Sequence, residues 1–180
     1  AYQKGIKHRD QLPAIEQLVA DPAIKVAGIV VDMVDEIVHG ATLGKRGIAS
    51  QIENWCDTGF VEQLIELLIN QGFEIHLTSD HGNVDAVGIG RLNQGVLSEL
   101  RGERVRIYRS DDLAASVPED LETVRFDLPG LPTDFLPVYP KGRGAFTGAG
   151  DLLVAHGGMS VEELIVPFIR ISPKSLNDEK

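Results

Sequence analysis

The 180-residue chain holds a single cysteine, Cys56, so no disulfide can form within it. A lone thiol suits a reducing compartment. The amino terminus, AYQKGIKHRD, has neither the apolar core nor the small-residue cleavage site of a signal peptide. A cytoplasmic location is therefore expected. Long apolar runs are also missing: VAGIVV is among the longest, well short of the roughly 20 residues that a membrane-spanning helix needs. Basic residues are scarce, 17 against 27 acidic, for a net charge of -10. That balance argues against a broad electrostatic footprint for nucleic acid, but it leaves room for divalent cations, which would offset carboxylate charge and admit a phosphate-bearing substrate.

What is present is the mixture of one globular domain, 43% hydrophobic and 24% charged, long enough to bury most of its apolar surface and to exclude disorder. The chain opens with Ala1 rather than Met, and a piece of a longer protein is expected, entering at once a polar, helix-like segment. Asp10 to Ala20 carries Leu12, Ile15, Leu18 and Val19 at helical spacing, with Asp10 as the expected N-cap. Lys25 to Asp32 is a continuous β-branched run, suited to a parallel strand covered on both faces. Helices are expected at Ile48 to Trp55 and at Phe60 to Gln71, the latter capped by Asp57 or Thr58 and stopped by Gly72. Phe73 to Thr78 reads as a second buried strand, completing a strand, helix, strand crossover with the first. From Asn83 to Gly150 the texture turns Gly- and Pro-rich with short strands, an inserted, partly β region (about 84–150). Leu152 to His156 and Val166 to Ile171 are the last strand candidates, flanking a short helix capped by Ser160, and a polar tail closes the chain (173–180). The fold class is α/β, a central, mainly parallel sheet flanked by helices, forming one domain over 1–172.

Three of the apolar runs are each followed by groups able to ligate a metal: Asp32, Asp35 and His39; Asp80 and His81; and His156. In open α/β sheets the functional crevice lies beyond the carboxyl ends of the strands, so these groups are expected to converge. Mixed carboxylate and imidazole donors suit Zn²⁺, Mn²⁺ or a related first-row ion. Each also has a plainer reading: Asp35 and His39 as a solvated helix face, His156 as a packed turn histidine, and Asp32 as a strand-end cap. Glu162 and Glu163 fit helix N-terminal charges. Thr78 and Ser79 read as strand-end residues, His76 as a core or sheet-face histidine, and Cys56 beside Trp55 as a small buried hydrophobe. Lys141 and Arg143, in PKGRGAFTGAG, are candidates for binding a substrate phosphate or nucleic-acid backbone; the same glycines equally fit a flexible loop.

Thr78 to Gly82 (TSDHG) after a strand, the upstream Asp35 to His39 (DxxxH), and the downstream His156 to Pro167 (HGGMSxEExxxP) resemble the C-terminal part of the alkaline phosphatase superfamily. VVDMVDEIVHG, the Trp55-containing helix and RGERVRIYRS make the likeness closest to PglZ domains, the phosphatase-like component of BREX phage-defence systems. It spans about Lys25 to Ile171. The resemblance implies two divalent ions, one held by Asp35, His39 and His156 and the other in part by Asp80 and His81, with in-line phosphoryl transfer on a phosphomonoester or phosphodiester. The superfamily's Ser or Thr nucleophile, and a further Asp, are expected upstream, so no catalytic nucleophile is assigned within the chain. Two alternatives stay open: a catalytically inactive, metal-stabilised interaction module in a defence complex, and a phosphotransferase resembling phosphoglycerate mutase.

Overall fold

A computed structural model of the chain describes residues 1–40, 44–92, 98–126 and 129–173, with the backbone alone at 39–40, 44–45 and 98–101. The polar tail from residue 174 lies outside them. The chain divides into two compact units, Ala1–Thr78 with the segment from Pro167 onward, and Ser79–Val166.

In the first unit the chain opens with a strand, β1 (Tyr2–Ile6), where a helix-like segment was expected. Only Ile6 of its five residues is buried, so the strand carries almost no hydrophobic pattern to reveal it. β1 pairs in parallel with β2 (Gly28–Val31), Tyr2 opposite Gly28 and Ile6 opposite Val31. The parallel crossover thus runs through α1 (Leu12–Val19). β3 (Ile75–Thr78), expected as the partner strand of a crossover from β2, instead pairs antiparallel with β11 (Phe168–Ile171).

α1 turns Leu12, Ile15 and Val19 inward, spaced three and four apart as one helical face requires. Its entry differs from expectation. A 3₁₀ turn over Arg9–Gln11 starts the helix early, so Asp10 falls inside the turn and Gln11 Oε1 accepts from the Lys7 and His8 amides, at 2.7 and 3.1 Å. α2 (Met33–Gly40) leaves β2 directly, and α3 (Gly44–Cys56) begins before its expected start. Cys56 is exposed rather than buried; its neighbour Trp55 packs inward, donating its indole N–H to the Lys7 carbonyl at 3.2 Å. α4 (Phe60–Asn70) buries Phe60, Leu64 and Leu68, with left-handed Gly59 as its N-cap. These residues join Ile6, Leu12, Ile15 and Val19 in one apolar core that also receives Ile29, Val31 and Ile75 from β2 and β3. His76 lies on a sheet face, as one of its two readings had it, 3.0 Å from Glu74 and against the Phe168 ring.

Among its described residues the second unit forms two small sheets. β4 (Val84–Gly88) sits between β10 (Leu152–Ala155) and β9 (Gly144–Ala145), antiparallel to the first and parallel to the second. β5 (Ser98–Gly102), β6 (Val105–Tyr108), β8 (Leu136–Pro140) and β7 (Thr123–Arg125) form an antiparallel sheet in that order. α5 (Asp111–Ala115), capped by Ser110, packs with Tyr108, Leu136, Val138 and Phe146 in one apolar cluster, while Ala86, Ala145 and Ala155 form a second. α6 (Val161–Leu164) follows Ser160, as its sequence signal indicated.

Candidate metal centre

β3 ends at Thr78, and Asp80 and His81 follow in the next turn; β10 ends at Ala155, and His156 is the next residue. Both histidines therefore leave the carboxyl end of a strand, as expected. The structure brings them together: their rings stack with centroids 3.9 Å apart and planes 12° from parallel. At least one ring nitrogen of each lies within 4.8 Å of the other. Both are partly buried.

His81 Nδ1 faces the Gly82 carbonyl at 3.2 Å. A carbonyl only accepts, so the proton of the neutral ring belongs on Nδ1 and the lone pair on Nε2, the arrangement a metal-binding imidazole needs. Asp80 is 90% exposed; its Oδ1 accepts from the His81 amide at 3.1 Å and lies 3.7 Å from His81 Nε2. Two residues after His81, Asn83 Oδ1 is buried with no hydrogen-bond partner among the described residues. Two imidazoles whose ring nitrogens come within 4.8 Å of each other, one with its tautomer fixed, are donors of the kind a divalent first-row ion takes, and Asp80 adds an accessible carboxylate beside His81 alone.

The remaining candidates are placed as follows. Asp35 lies in the first turn of α2 and is exposed. His39 lies four residues further along the same helix, and its side chain is outside the described residues. Asp32 joins β2 to α2: its amide donates to the Ile6 carbonyl and its own carbonyl accepts from Glu36, both at 3.1 Å. Arg143 is ion-paired with Glu162. Lys141 is exposed and lines an open cavity of about 430 Å³ with Arg125, Glu119 and Glu122; neither histidine is among the lining residues.

A buried pair that sequence reasoning missed stands behind these loops. Arg104 and Glu163 are 1% and 2% exposed. They meet in a two-pronged salt bridge, Nε to Oε1 at 2.9 Å and Nη2 to Oε2 at 2.8 Å. Burial by itself would raise the Glu163 pKa, but Arg104 and the amides of Gly158 and Ser160 stabilise the carboxylate and bring it down to about 2. The sequence signal for Glu163 was its place in a capping box with Ser160; nothing local marks Arg104, 59 residues away, as its partner.

A family model for the BREX system PglZ alkaline phosphatase-like domain matches residues 2–171, nearly the whole chain. The chain belongs to the PglZ family. This PglZ domain therefore has an alkaline phosphatase-like α/β fold, built here from small sheets, and is a phosphatase-like domain of the BREX type. The match begins before Lys25, where the sequence resemblance started, and so takes in β1. No curated protein matches the chain. Among the described residues of the PglZ domain, no helix is long and apolar enough to cross a membrane.

Proposed function

We propose that this PglZ domain binds divalent metal, Zn²⁺ or Mn²⁺, through His81, His156 and Asp80, and that it serves hydrolysis of a phosphomonoester or phosphodiester. The observation carrying this reading is the approach of His81 and His156 ring nitrogens to within 4.8 Å, with His81 Nδ1 facing the Gly82 carbonyl. The family pattern adds Asp35 and His39 to the ligands, for two ions in all. Bound metal would supply charge neutralisation on the phosphorus-bound oxygens and activation of the attacking oxygen.

The residues of the chain have separable jobs. His81 presents Nε2 because Nδ1 is occupied as a donor. Asp80 offers an accessible anionic oxygen beside it. Lys141 contributes a solvent-facing cation for a substrate phosphate, and Arg143 joins it by exchanging Glu162 for phosphate. The attacking Ser or Thr belongs to an upstream segment in this reading, and the domain works in phage defence together with other proteins.

The test is an assay of the full-length protein on a generic phosphodiester with Mn²⁺ or Zn²⁺. Turnover that disappears on chelation and in His156→Ala is the expected result. Metal binding without turnover would replace hydrolysis with the interaction-module reading, and absence of metal binding would end both.

A further inference from the structure

Glu163 touches both histidine loops of the second unit. Its backbone carbonyl accepts from the Gly82 amide at 2.9 Å, directly after His81, and its Oε1 accepts from the Gly158 amide at 2.8 Å, two residues after His156. Both glycines are sterically required there. A Cβ on Gly82 would stand 2.0 Å from the Glu162 carbonyl oxygen, and one on Gly158 would stand 2.7 Å from both Arg104 Nη2 and Glu163 Oε2. Gly82, directly after His81, is thus pressed against the Glu162–Glu163 backbone, and Gly158, two residues after His156, against the Arg104 and Glu163 side chains.

Arg104 extends the same framework to the third loop of interest. Its Nη1 donates to the Gly144 carbonyl and its Nη2 to the Gly142 carbonyl, the latter at 3.1 Å, on either side of Arg143. The side chains of this buried ion pair therefore have direct hydrogen bonds to the HGG and KGRG loops, and the Glu163 backbone has one to the DHG loop. The two-pronged bridge uses two of the guanidinium's five donors, and the Gly142 and Gly144 carbonyls take two more, as burial of the group requires.

We infer that Glu163, anchored by Arg104, is the positioning residue of the metal centre: it fixes the separation and orientation of the His81 and His156 rings by holding the backbone that follows each. The inference rests on the reading of those histidines as ligands, but its geometric content is independent of metal. Glu163 contacts neither ring in this scheme and acts through Gly82 and Gly158. Groups behind metal ligands typically change affinity by about 10- to 100-fold when altered.

The experiment is a titration of the chain with Co²⁺, followed by visible absorption, on the unaltered protein and on Glu163→Gln, with far-ultraviolet circular dichroism confirming the fold. The expected result is an affinity at least about 10-fold weaker and an altered absorption envelope. In parallel, long-range ¹H–¹⁵N spectra of the metal-free imidazoles should show the His156 signals displaced through the altered Gly158 contact, and those of His81 through its stack on the His156 ring, while those of His8 and His76 stay in place. Unchanged Co²⁺ affinity together with unmoved His81 and His156 signals in a folded variant would overturn the inference. If the unaltered chain binds no Co²⁺, the metal reading fails, and the imidazole signals alone decide whether Glu163 positions the rings. If Glu163→Gln does not fold, the paired replacement Arg104→Met with Glu163→Leu removes both buried charges and carries the same two readouts.

Discussion

The two units of this PglZ domain solve the problem of a stable interior differently. The first gathers aliphatic and aromatic side chains of α1 and α4 onto its strands in one continuous apolar cluster. The second has smaller clusters and adds a buried ion pair with hydrogen bonds to several loop carbonyls and amides. Apolar burial is non-directional and tolerates small shifts, whereas a buried guanidinium and carboxylate are satisfied in only one arrangement of their partners. The first strategy packs helices onto strands, and the second ties together loops, among them those that carry His81 and His156.

The comparison breaks most visibly at Glu163. Glu163→Ala leaves Arg104 buried without its counter-ion and should destabilise the domain by about 3–5 kcal/mol, measured by urea unfolding. Replacing both partners, Arg104→Met with Glu163→Leu, should recover much of that loss. A Glu163→Ala cost below about 1 kcal/mol would show that the second unit does not depend on the pair. In the first unit Ile15→Ala should cost about 2–5 kcal/mol through lost burial and the cavity left behind, with no comparable rescue by a second charge-removing change.

Acid should separate the two strategies as well. The Glu163 carboxylate is depressed to about 2 from an ordinary 4.5, so its contribution is fully present above pH 4.5 and fades as the pH falls toward 2. That difference is worth about 3 kcal/mol. Urea midpoints measured between pH 5 and 2 should fall more steeply in the unaltered domain than in the Arg104→Met, Glu163→Leu pair; parallel curves would contradict it. The smallest effect belongs to the exposed Arg143 and Glu162 pair: Arg143→Ala should change stability by about 0.2–1 kcal/mol, less in high salt.

The same contrast governs how much was legible in the sequence. α1 and α4 were visible because their buried residues recur at helical spacing, and the donors at Asp80, His81 and His156 were visible because each follows an apolar strand within a few residues. β1 escaped notice because one buried residue in five makes no pattern. The pairing of β3 with β11 joins segments about ninety residues apart, and apolar character alone does not choose a strand's partner. Trp55 and Cys56 are adjacent and both suit an interior, yet α3 turns only the first toward the core. Arg104 is the clearest case. A charged residue in a polar stretch reads as surface, and only the tertiary fold brings Glu163 to it. Candidate donor types were therefore readable in the sequence, while the buried pair that bonds to two of their loops was not.

The most direct test of the central claim is metal stoichiometry, measured by elemental analysis after equilibration with Zn²⁺ and removal of free ion, on the unaltered chain and on His81→Ala with His156→Ala. The account predicts bound zinc in the unaltered chain and the loss of at least one equivalent in the paired variant with its fold retained. Equal zinc content in the two proteins would contradict it.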